Sequence, residues 1–299
     1  MQYWKSELLY TAEFLLGEGP HWHPGWNRLL FVDIEGQLVG CLDTLSGFME
    51  KMYVGKRVGT VVPVAGSDQL VVGLQGSIEK LNFTTGARTV LTVLETTRTQ
   101  NRCNDGKCDA AGRLWIGTMH ERAKREQGAL YVYDGALWKK LDNRHVSNGI
   151  CWSLDNKTMY YIDSFDYHVK AYDFDLPTGQ ITNERIVVTL IAHQETPDGM
   201  CIDEAGRLWI AVWGAGAVHC YDPTDGKLLG KVFVDAPHVT ACAFGGEDGD
   251  QLFITTARQG LSPSALRKYP LSGSIFSARV GTRGAPMHSF VCPNNPNAK

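Results

Sequence analysis

Short, almost wholly apolar runs recur along the chain, and each is bounded by polar or glycine-rich turns. Six of these runs are alike: NRLLFVDI (27–34), DQLVVGL (68–74), GRLWIGT (112–118), KTMYYID (157–163), GRLWIAV (206–212) and DQLFITT (250–256). When they are aligned on positions 29, 70, 114, 159, 208 and 252, the spacings are 41, 44, 45, 49 and 44 residues. The pattern predicts β-strands that belong to a six-fold internal repeat.

Most of these runs are followed by a second alternating run and an Asp/Gly turn, as in ALYVYDG and AVHCYDPTDG. Strands punctuated in this way, with a period in the low forties, are typical of a β-propeller, whereas a β-sandwich would not explain the repeat. We therefore predict an all-β fold, a six-bladed β-propeller with four-stranded blades. Residues 1–292 are expected to form this single domain, with residues 6–14 adding a strand to the last blade. The polar tail 293–299 is expected to be disordered.

Polar side chains recur at one phase of the repeat, ten or eleven residues before the aligned position. They are Glu18 in GEGP, Asn104 in NDG, Asn148 in SNG and Asp198 in PDG, each followed directly or after one residue by glycine. This phase is the start of the first strand of a blade, which lines the central channel of a propeller. Four of the six blades are therefore expected to direct an oxygen-bearing side chain towards one end of the channel.

Two carboxylates and two carboxamides that converge on an axis would repel one another or lack partners unless a positive charge lay between them. Their oxygens are hard ligands that suit Ca²⁺, Mg²⁺ or Mn²⁺, and Zn²⁺ also accepts carboxylate oxygen. The alternative is a hydrogen-bonded plug of polar side chains. The residues predict an axial site for a divalent cation and leave this alternative open.

Composition excludes several classes of partner. The net charge of −3 argues against nucleic acid, and there is no run of 18 or more apolar residues that would span a membrane. The first residues lack the layout of a signal peptide, and the eight cysteines are scattered without paired metal-ligand spacing. We therefore expect a cytoplasmic protein that acts on a small molecule as a monomer or weak homo-oligomer.

An ordered set of motifs resembles a known family. The motifs are GEGPHW, RCNDGKCD…GRLWIGTM, VSNGICWS, MYYIDS, TPDGMCIDEAGRLWIAV and VTACAFGG. Together, from about residue 13 to 291, they resemble the SMP-30/gluconolactonase/luciferin-regenerating-enzyme family, the regucalcin-like sugar lactonases. The resemblance implies a six-bladed propeller that hydrolyses aldonolactones with one divalent cation at the channel mouth. Ca²⁺ or Zn²⁺ is expected first, and Mn²⁺, Mg²⁺ or Fe²⁺ also suits the ligand set.

The resemblance also implies roles for particular residues. The metal-ligand positions of the family match Glu18, Asn148 and Asp198, and its substrate-contacting Arg and Asn match Arg102 and Asn104. Some members have a further glutamate contact after the GTM motif. Glu121 is the candidate here, at a spacing that differs by one residue.

Lactone hydrolysis requires an activated water and a polarised carbonyl, which a bound cation can supply. Asp198, beside the cation, is our candidate for the general base, and Arg102 and Asn104 would orient the sugar ring. Arg102 could instead lie on a solvated face. Two other functions remain open, a phosphotriesterase or arylesterase on the same fold and a calcium-binding regulatory protein.

Overall fold

Six β-sheets surround a central channel in the computed structural model, which describes residues 1–190 and 195–293. The innermost strand of each blade contacts the innermost strand of the next, and the last contacts the first, so the ring is closed. Numbered along the chain, these inner strands are β3 Gly17–His23, β7 Val58–Pro63, β11 Asn101–Cys108, β15 Ser147–Trp152, β19 Thr196–Ile202 and β23 Val239–Gly245. The predicted six-bladed propeller is confirmed.

Successive strands within a blade are antiparallel, and the outermost strands are the most exposed. Blades 1 to 3 continue with β4 Arg28–Asp33, β5 Leu38–Leu42, β6 Met49–Tyr53; β8 Gln69–Leu74, β9 Ser77–Asn82, β10 Arg88–Val93; β12 Leu114–His120, β13 Gly128–Tyr133, β14 Leu137–Arg144. Blades 4 to 6 continue with β16 Thr158–Asp163, β17 His168–Asp175, β18 Gln180–Thr189; β20 Leu208–Trp213, β21 Ala217–Asp222, β22 Lys227–Phe233; β24 Gln251–Thr256, β25 Ile275–Arg279. A 3₁₀ turn, Ser164–Asp166, and one helix, α1 Pro263–Lys268, complete the regular structure of the described residues.

The N-terminal residues close the ring through two strands. Strand β2, Glu7–Tyr10, pairs antiparallel with β25 as the fourth strand of blade 6. This confirms the strand expected within residues 6–14. Strand β1, Gln2–Lys5, pairs parallel with β22 and makes blade 5 five-stranded, which the repeat did not predict.

The C-terminal segment, residues 283–291, crosses one end of the channel. Gly284 forms a bridge with Asp203, His288 with Cys108, and Phe290 with Val64. These three partners lie at or just beyond the C-terminal ends of inner strands, so the segment covers the end of the channel opposite to where those strands begin. Residues 294–299 of the predicted tail lie outside the described residues.

The hydrophobic core consists of six clusters, each between two adjacent blades. Between blades 5 and 6, for example, the fully buried Trp209 meets Phe244 edge to face, with ring centroids 5.8 Å apart. Burying both faces of each sheet removes a large apolar area from water and holds the blades in a ring. The channel is therefore set in a rigid frame.

A buried aspartate organises the turn before the second strand in blades 3 and 5. In DAAGRLW (109–115), Asp109 accepts hydrogen bonds from the backbone N–H groups of Ala111 and Arg113 at 3.0 and 3.1 Å. It also accepts from Arg113 Nε at 2.7 Å and from Trp115 Nε1 at 2.8 Å. Asp203 in DEAGRLW (203–209) receives the same four kinds of bond. The two most similar repeats in the sequence thus share one hydrogen-bonded device.

Candidate metal and active site at the channel mouth

Breaks in strand register place the polar side chains at the channel mouth. In blades 3, 4 and 5, two consecutive residues of the inner strand have no partner on the next strand: Asn104–Asp105, Asn148–Gly149 and Asp198–Gly199. In blade 1, Glu18 is the last paired residue before a break over Gly19–Pro20. A bulge of this kind turns side chains out of the ordinary alternation of a strand. Here it brings them into the channel.

Glycine next to these side chains lets the blades approach closely. A Cβ atom on Gly149 would lie 2.7 Å from the carbonyl oxygen of Asp198 on the neighbouring blade, and Gly19 has a φ of +55°. A larger residue would clash in the first case and be strained in the second. The recurring glycine therefore keeps the inner strands close around the axis.

Glu18 and Asp198 form a buried acidic pair; their exposed fractions are 5% and 7%. Burial and the nearby charges of Asp198 and Asp105 raise the pKa of Glu18 well above its usual range. Burial, together with Asp105, raises the pKa of Asp198 to about 8, although a hydrogen bond from Asn148 opposes the shift. In the protein alone these acids therefore resist ionisation, and a nearby positive charge would stabilise their charged forms.

The side-chain amide of Asn148 has a defined orientation. Its Nδ2 group donates to Asp198 Oδ1 at 2.5 Å and to Ser164 Oγ at 3.0 Å. Both amide hydrogens are thus used. Its Oδ1 atom is buried and has no hydrogen-bond partner among residues 1–190 and 195–293. An unpartnered buried oxygen beside two carboxylates provides a set of ligand oxygens that fits a hard divalent cation.

Asp105 is a third buried acid at the mouth; the sequence predicts residues 104–106 as one arm of the site but gives Asp105 no role of its own. It is 6% exposed, and its Oδ1 accepts from the backbone N–H of Gly106 at 2.7 Å. Burial raises its pKa, while the nearby charge of Lys107 opposes the shift. It adds negative potential beneath Glu18 and Asp198. The NDG motif was the available signal for Asp105. The bulge changes the direction of both Asn104 and Asp105, and not of Asn104 alone.

Arg102 and Asn104 contact each other beside the acidic pair. Arg102 Nη1 donates to Asn104 Oδ1 at 2.6 Å, and Asn104 Nδ2 donates to the backbone carbonyl of Ser147 at 2.9 Å. Arg102 is only 6% exposed, so the alternative that it lies on a solvated face is wrong. Its Nε atom is buried without a partner in the described part of the chain. An unused donor of a buried guanidinium is suited to a ligand oxygen.

Glu121 lies in an ion-pair cluster. Its Oε2 atom accepts from Arg57 Nη1 at 3.1 Å, and Arg57 Nε pairs with Glu35 at 3.0 Å. The charges of Glu35 and Arg57 both influence the pKa of Arg102, which burial lowers. The cluster therefore borders Arg102. Within the described residues, the side chain of Glu121 forms a hydrogen bond with Arg57 and with none of the other predicted site residues.

The inner strands of the other two blades carry threonine at or next to the break in register. Thr60 Oγ1 donates to the carbonyl of Gly106 at 2.8 Å, and Thr240 Oγ1 donates to the carbonyl of Gly17 at 2.5 Å. Both partners belong to neighbouring blades. These hydroxyl groups therefore join the ring together, which leaves the ligand-type oxygens to the remaining four blades.

A second acidic group, at the end of blade 4, brings possible ligand atoms of His145, Asp163 and Asp166 within 4.8 Å of one another. The carboxylate of Asp163 already accepts from the backbone N–H groups of His145 and Val146 at 2.8 and 2.9 Å. Lys170 Nζ lies 2.7 Å from Asp166. Because these partners satisfy both carboxylates, the group is explained as part of the turn.

A sequence profile described as the SMP-30/Gluconolactonase/LRE-like region matches residues 16–258. The chain belongs to this family. Regucalcin of Pongo abelii is 39% identical over 295 residues, which cover 96% of this chain and 98% of the relative. Regucalcin of Homo sapiens is 38% identical with the same coverage.

Two solved structures agree with this fold over most of the chain. A luciferin-regenerating enzyme has a TM-score of 0.88 at 32% identity and covers 94% of this chain and 96% of its own. Regucalcin of Agrobacterium tumefaciens, described as a calcium-binding protein, has a TM-score of 0.91 at 27% identity and covers 97% and 99%. Within residues 1–190 and 195–293, no helix combines the length and apolar character needed to cross a membrane.

Proposed function

We propose that the protein is a divalent-metal-dependent lactonase, which hydrolyses a sugar lactone such as glucono-, xylono- or arabinonolactone to the aldonic acid. The observation that carries the proposal is the unpartnered, buried Oδ1 of Asn148 beside Glu18 and Asp198. Membership of a family whose name includes gluconolactonase supports the reaction class. The name of the Agrobacterium relative supports a cation.

In this proposal Glu18, Asn148 and Asp198 hold one cation, Ca²⁺ or Zn²⁺ first, with Mn²⁺, Mg²⁺ or Fe²⁺ as alternatives. When bound, the cation polarises the lactone carbonyl and lowers the pKa of a nearby water molecule. Ser164 accepts from Nδ2 of Asn148, which leaves Oδ1 of the same amide available to the cation. Asp105 contributes negative potential without being assigned as a ligand.

Asp198 accepts the proton of the attacking water as general base. Arg102 and Asn104 are held against each other and present the remaining donors of a guanidinium to the hydroxyl and carbonyl oxygens of the sugar. Glu121, fixed by Arg57, would accept from a sugar hydroxyl at the edge of the site. These contacts would hold the sugar ring so that the ester carbonyl is oriented for attack by water.

The test is a hydrolysis panel on chelator-treated protein reloaded with each of the five metals. Glucono-, xylono-, arabinono- and galactonolactone are assayed by acid release, with protein-free blanks because lactones hydrolyse spontaneously. An aryl ester and paraoxon are assayed beside them. We expect metal-dependent turnover of at least one aldonolactone, lost with chelator and restored by reloading.

A matched pair of variants ties activity to the site. Glu18→Gln should bind the metal more weakly and lose activity when metal is limiting, whereas Glu50→Gln, an exposed glutamate on the outermost strand of the same blade, should retain both metal affinity and activity. Turnover of only the aryl ester or paraoxon would replace the proposal by an esterase or phosphotriesterase. Metal binding without turnover of any ester would favour the calcium-binding role. The single-domain organisation, cytoplasmic location and monomeric or weakly oligomeric state stay predictions.

A further inference from the structure

A second cavity, of about 200 Å³, lies at the end of the channel that the C-terminal segment covers. Its walls come from the C-terminal ends of the inner strands of blades 1, 3, 4, 5 and 6, and from residues 285–288. We call it the floor cavity. None of the six predicted site residues lines it. It is therefore separate from the candidate metal site at the mouth.

The walls of the floor cavity are mostly apolar. Trp152, Ile202, Phe244 and Met287 line it, and Leu154, which is 50% exposed, lies at its rim towards solvent. Three free cysteines also line it: Cys108, Cys151 and Cys201. Burial raises the pKa of Cys108 well above its usual range and that of Cys151 to about 12. These two thiols are neutral near pH 7 and act as apolar wall.

One cation faces this apolar space. Lys107, on β11, lines the floor cavity, and its ammonium donates to the backbone carbonyl of Met200. Among the described residues, no carboxylate oxygen lies within 4 Å of Lys107 Nζ. Burial lowers the pKa of Lys107, but the nearby charge of Asp105 raises it, and the pKa lies above its ordinary value. The ammonium stays charged and has donors to spare, because it can form three hydrogen bonds.

Two histidines line the floor cavity close to this cation. His21 is buried, and His288 is half-buried on the C-terminal segment. No hydrogen bond of either imidazole is recorded within the described residues. Burial and the charge of Lys107 lower the pKa of His21 to about 3, so its ring is neutral. A neutral imidazole can donate one hydrogen bond and accept another.

We propose that the floor cavity binds a small organic monocarboxylate with an apolar body. The carboxylate would be held by Lys107 and His21, and the body would lie against Trp152 and Phe244. Charge complementarity selects the anionic group, since a hydrogen bond between the Lys107 ammonium and a carboxylate is stronger than one between neutral groups. The apolar walls select the body.

The same walls exclude the acid that lactone hydrolysis would release. An aldonic acid carries several hydroxyl groups, and burying each without a partner against Trp152 and Phe244 would be unfavourable. An inorganic anion would satisfy Lys107 but leave the apolar volume unfilled. The inference is therefore independent of the proposed lactonase activity, and the failure of either one leaves the other intact.

The test measures binding to the full-length protein by calorimetry and ligand-observed NMR. The probes are phenylacetate and cyclohexanecarboxylate, with the neutral phenylacetamide, gluconate and inorganic phosphate for comparison. We expect saturable binding of the two apolar carboxylates, and binding of the amide, gluconate and phosphate that is about tenfold weaker or more. Equal binding of the neutral amide, or no saturable binding of either carboxylate, would overturn the proposal.

Variants locate the site. Lys107→Met keeps the length of the side chain without its charge and should weaken phenylacetate binding about tenfold or more. Lys227→Met, at an exposed position at the start of β22 in blade 5, should leave it unchanged. Ala285→Leu fills the cavity from the C-terminal segment while leaving Lys107 in place, and should also abolish binding.

Ala285→Leu also decides the question if Lys107→Met does not fold, as judged by its thermal transition. Unchanged binding to a folded Lys107→Met, or to Ala285→Leu, would place the carboxylate elsewhere on the protein and contradict the assignment.

Discussion

Two buried aspartates of blade 5, only five residues apart, behave in opposite ways. Asp203 lies beyond the end of β19, is fully buried, and accepts four hydrogen bonds. Asp198, at the mouth, receives its side-chain bond from Asn148, and its pKa is raised to about 8 by burial first of all. Burial alone therefore does not decide what an acid does. The number of hydrogen-bond donors around the carboxylate decides it.

The contrast extends to both ends of the channel. At the turns beyond the inner strands, Asp109 and Asp203 are each paired with an arginine and a tryptophan of their own blade. At the mouth, Glu18 and Asp198 lie beside an oxygen of Asn148 that has no partner in the described chain. We infer that satisfied acids hold the frame, and that undersatisfied acids are kept for a ligand at some cost in stability.

The largest expected effect concerns chemistry at the mouth. Asp198→Asn keeps an oxygen of similar shape but cannot accept a proton, so at saturating metal its kcat should fall by about 10²–10⁴. Glu18→Gln removes a similar charge and should recover more activity than Asp198→Asn when metal is saturating. Metal titrations must accompany both kinetic measurements. Equal recovery would make Asp198 a ligand without a role as base.

At the opposite end of the channel, a substitution of the buried aspartate should affect the stability of the protein. Asp203→Ala leaves Arg207 and Trp209 without their buried acceptor, so the free energy of unfolding should fall by about 3–5 kcal/mol. Denaturant titration of the metal-free protein gives the value. Asp225→Ala, an exposed aspartate in the turn between β21 and β22, should change it by no more than about 0.5 kcal/mol. A small effect at Asp203 would remove the contrast between the two ends.

The stability of the metal-free protein should depend on pH in a way that shows the free-energy cost of burying Asp198 at the channel mouth. Because the folded-state pKa of Asp198 is raised above its usual value, the folded protein holds a proton that the unfolded chain has released. Stability from this proton is therefore lost as pH rises towards about 8. Between pH 6.5 and 8 the expected loss is about 1.5 kcal/mol.

Subtracting the profile of Asp198→Asn isolates this effect. Histidines that are buried neutral, such as His21, oppose folding only below their ordinary pKa of 6.5, outside this range. Denaturation midpoints measured in chelator at a series of pH values provide the comparison. Identical slopes in wild type and Asp198→Asn would show that this carboxyl does not titrate in that range.

A smaller effect separates substrate contacts from metal ligands. Asn104→Ala removes the partner of Arg102 and should lower kcat/KM about tenfold, in keeping with the loss of one hydrogen bond. Metal affinity should stay within a few-fold of wild type. Direct metal titration checks this, and loss of the metal would assign Asn104 to the ligand set.

The smallest expected effect tests the orientation of Asn148. Ser164→Ala removes one of the two acceptors of its Nδ2 group, which frees the amide to rotate. Metal affinity should weaken only a few-fold, corresponding to about 1 kcal/mol. Ser46→Ala, in an exposed turn of blade 1, serves as control. Unchanged affinity would mean that Asp198 alone orients the amide.

The propeller was predictable because its repeat has a local physical cause. The aspartate, arginine and tryptophan of DAAGRLW and DEAGRLW bond within seven residues, so the pattern is visible in the sequence. Strand β1 was not predictable, since its four residues have no counterpart in the repeat. They pair with β22, which is distant from them in the sequence.

The mouth was predictable only in part. No role could be assigned to Asp105 beside Asn104, because adjacent residues of a regular strand point to opposite faces. Only the break in register after Cys103 turns both Asn104 and Asp105 away from that rule. The path of residues 283–291 across the channel was also not predictable, because it follows the ends of strands that are brought together by the ring.

The closure of the ring has a consequence for biosynthesis. Blade 6 consists of β23, β24 and β25, together with β2, which precedes the other five blades in the chain. During translation, residues 7–10 must wait without their partner strand until β25 has left the ribosome. Since such distant pairings form slowly, closing the circle is a late folding event. Until then a nascent chain presents open strand edges, which can pair with strands of other chains.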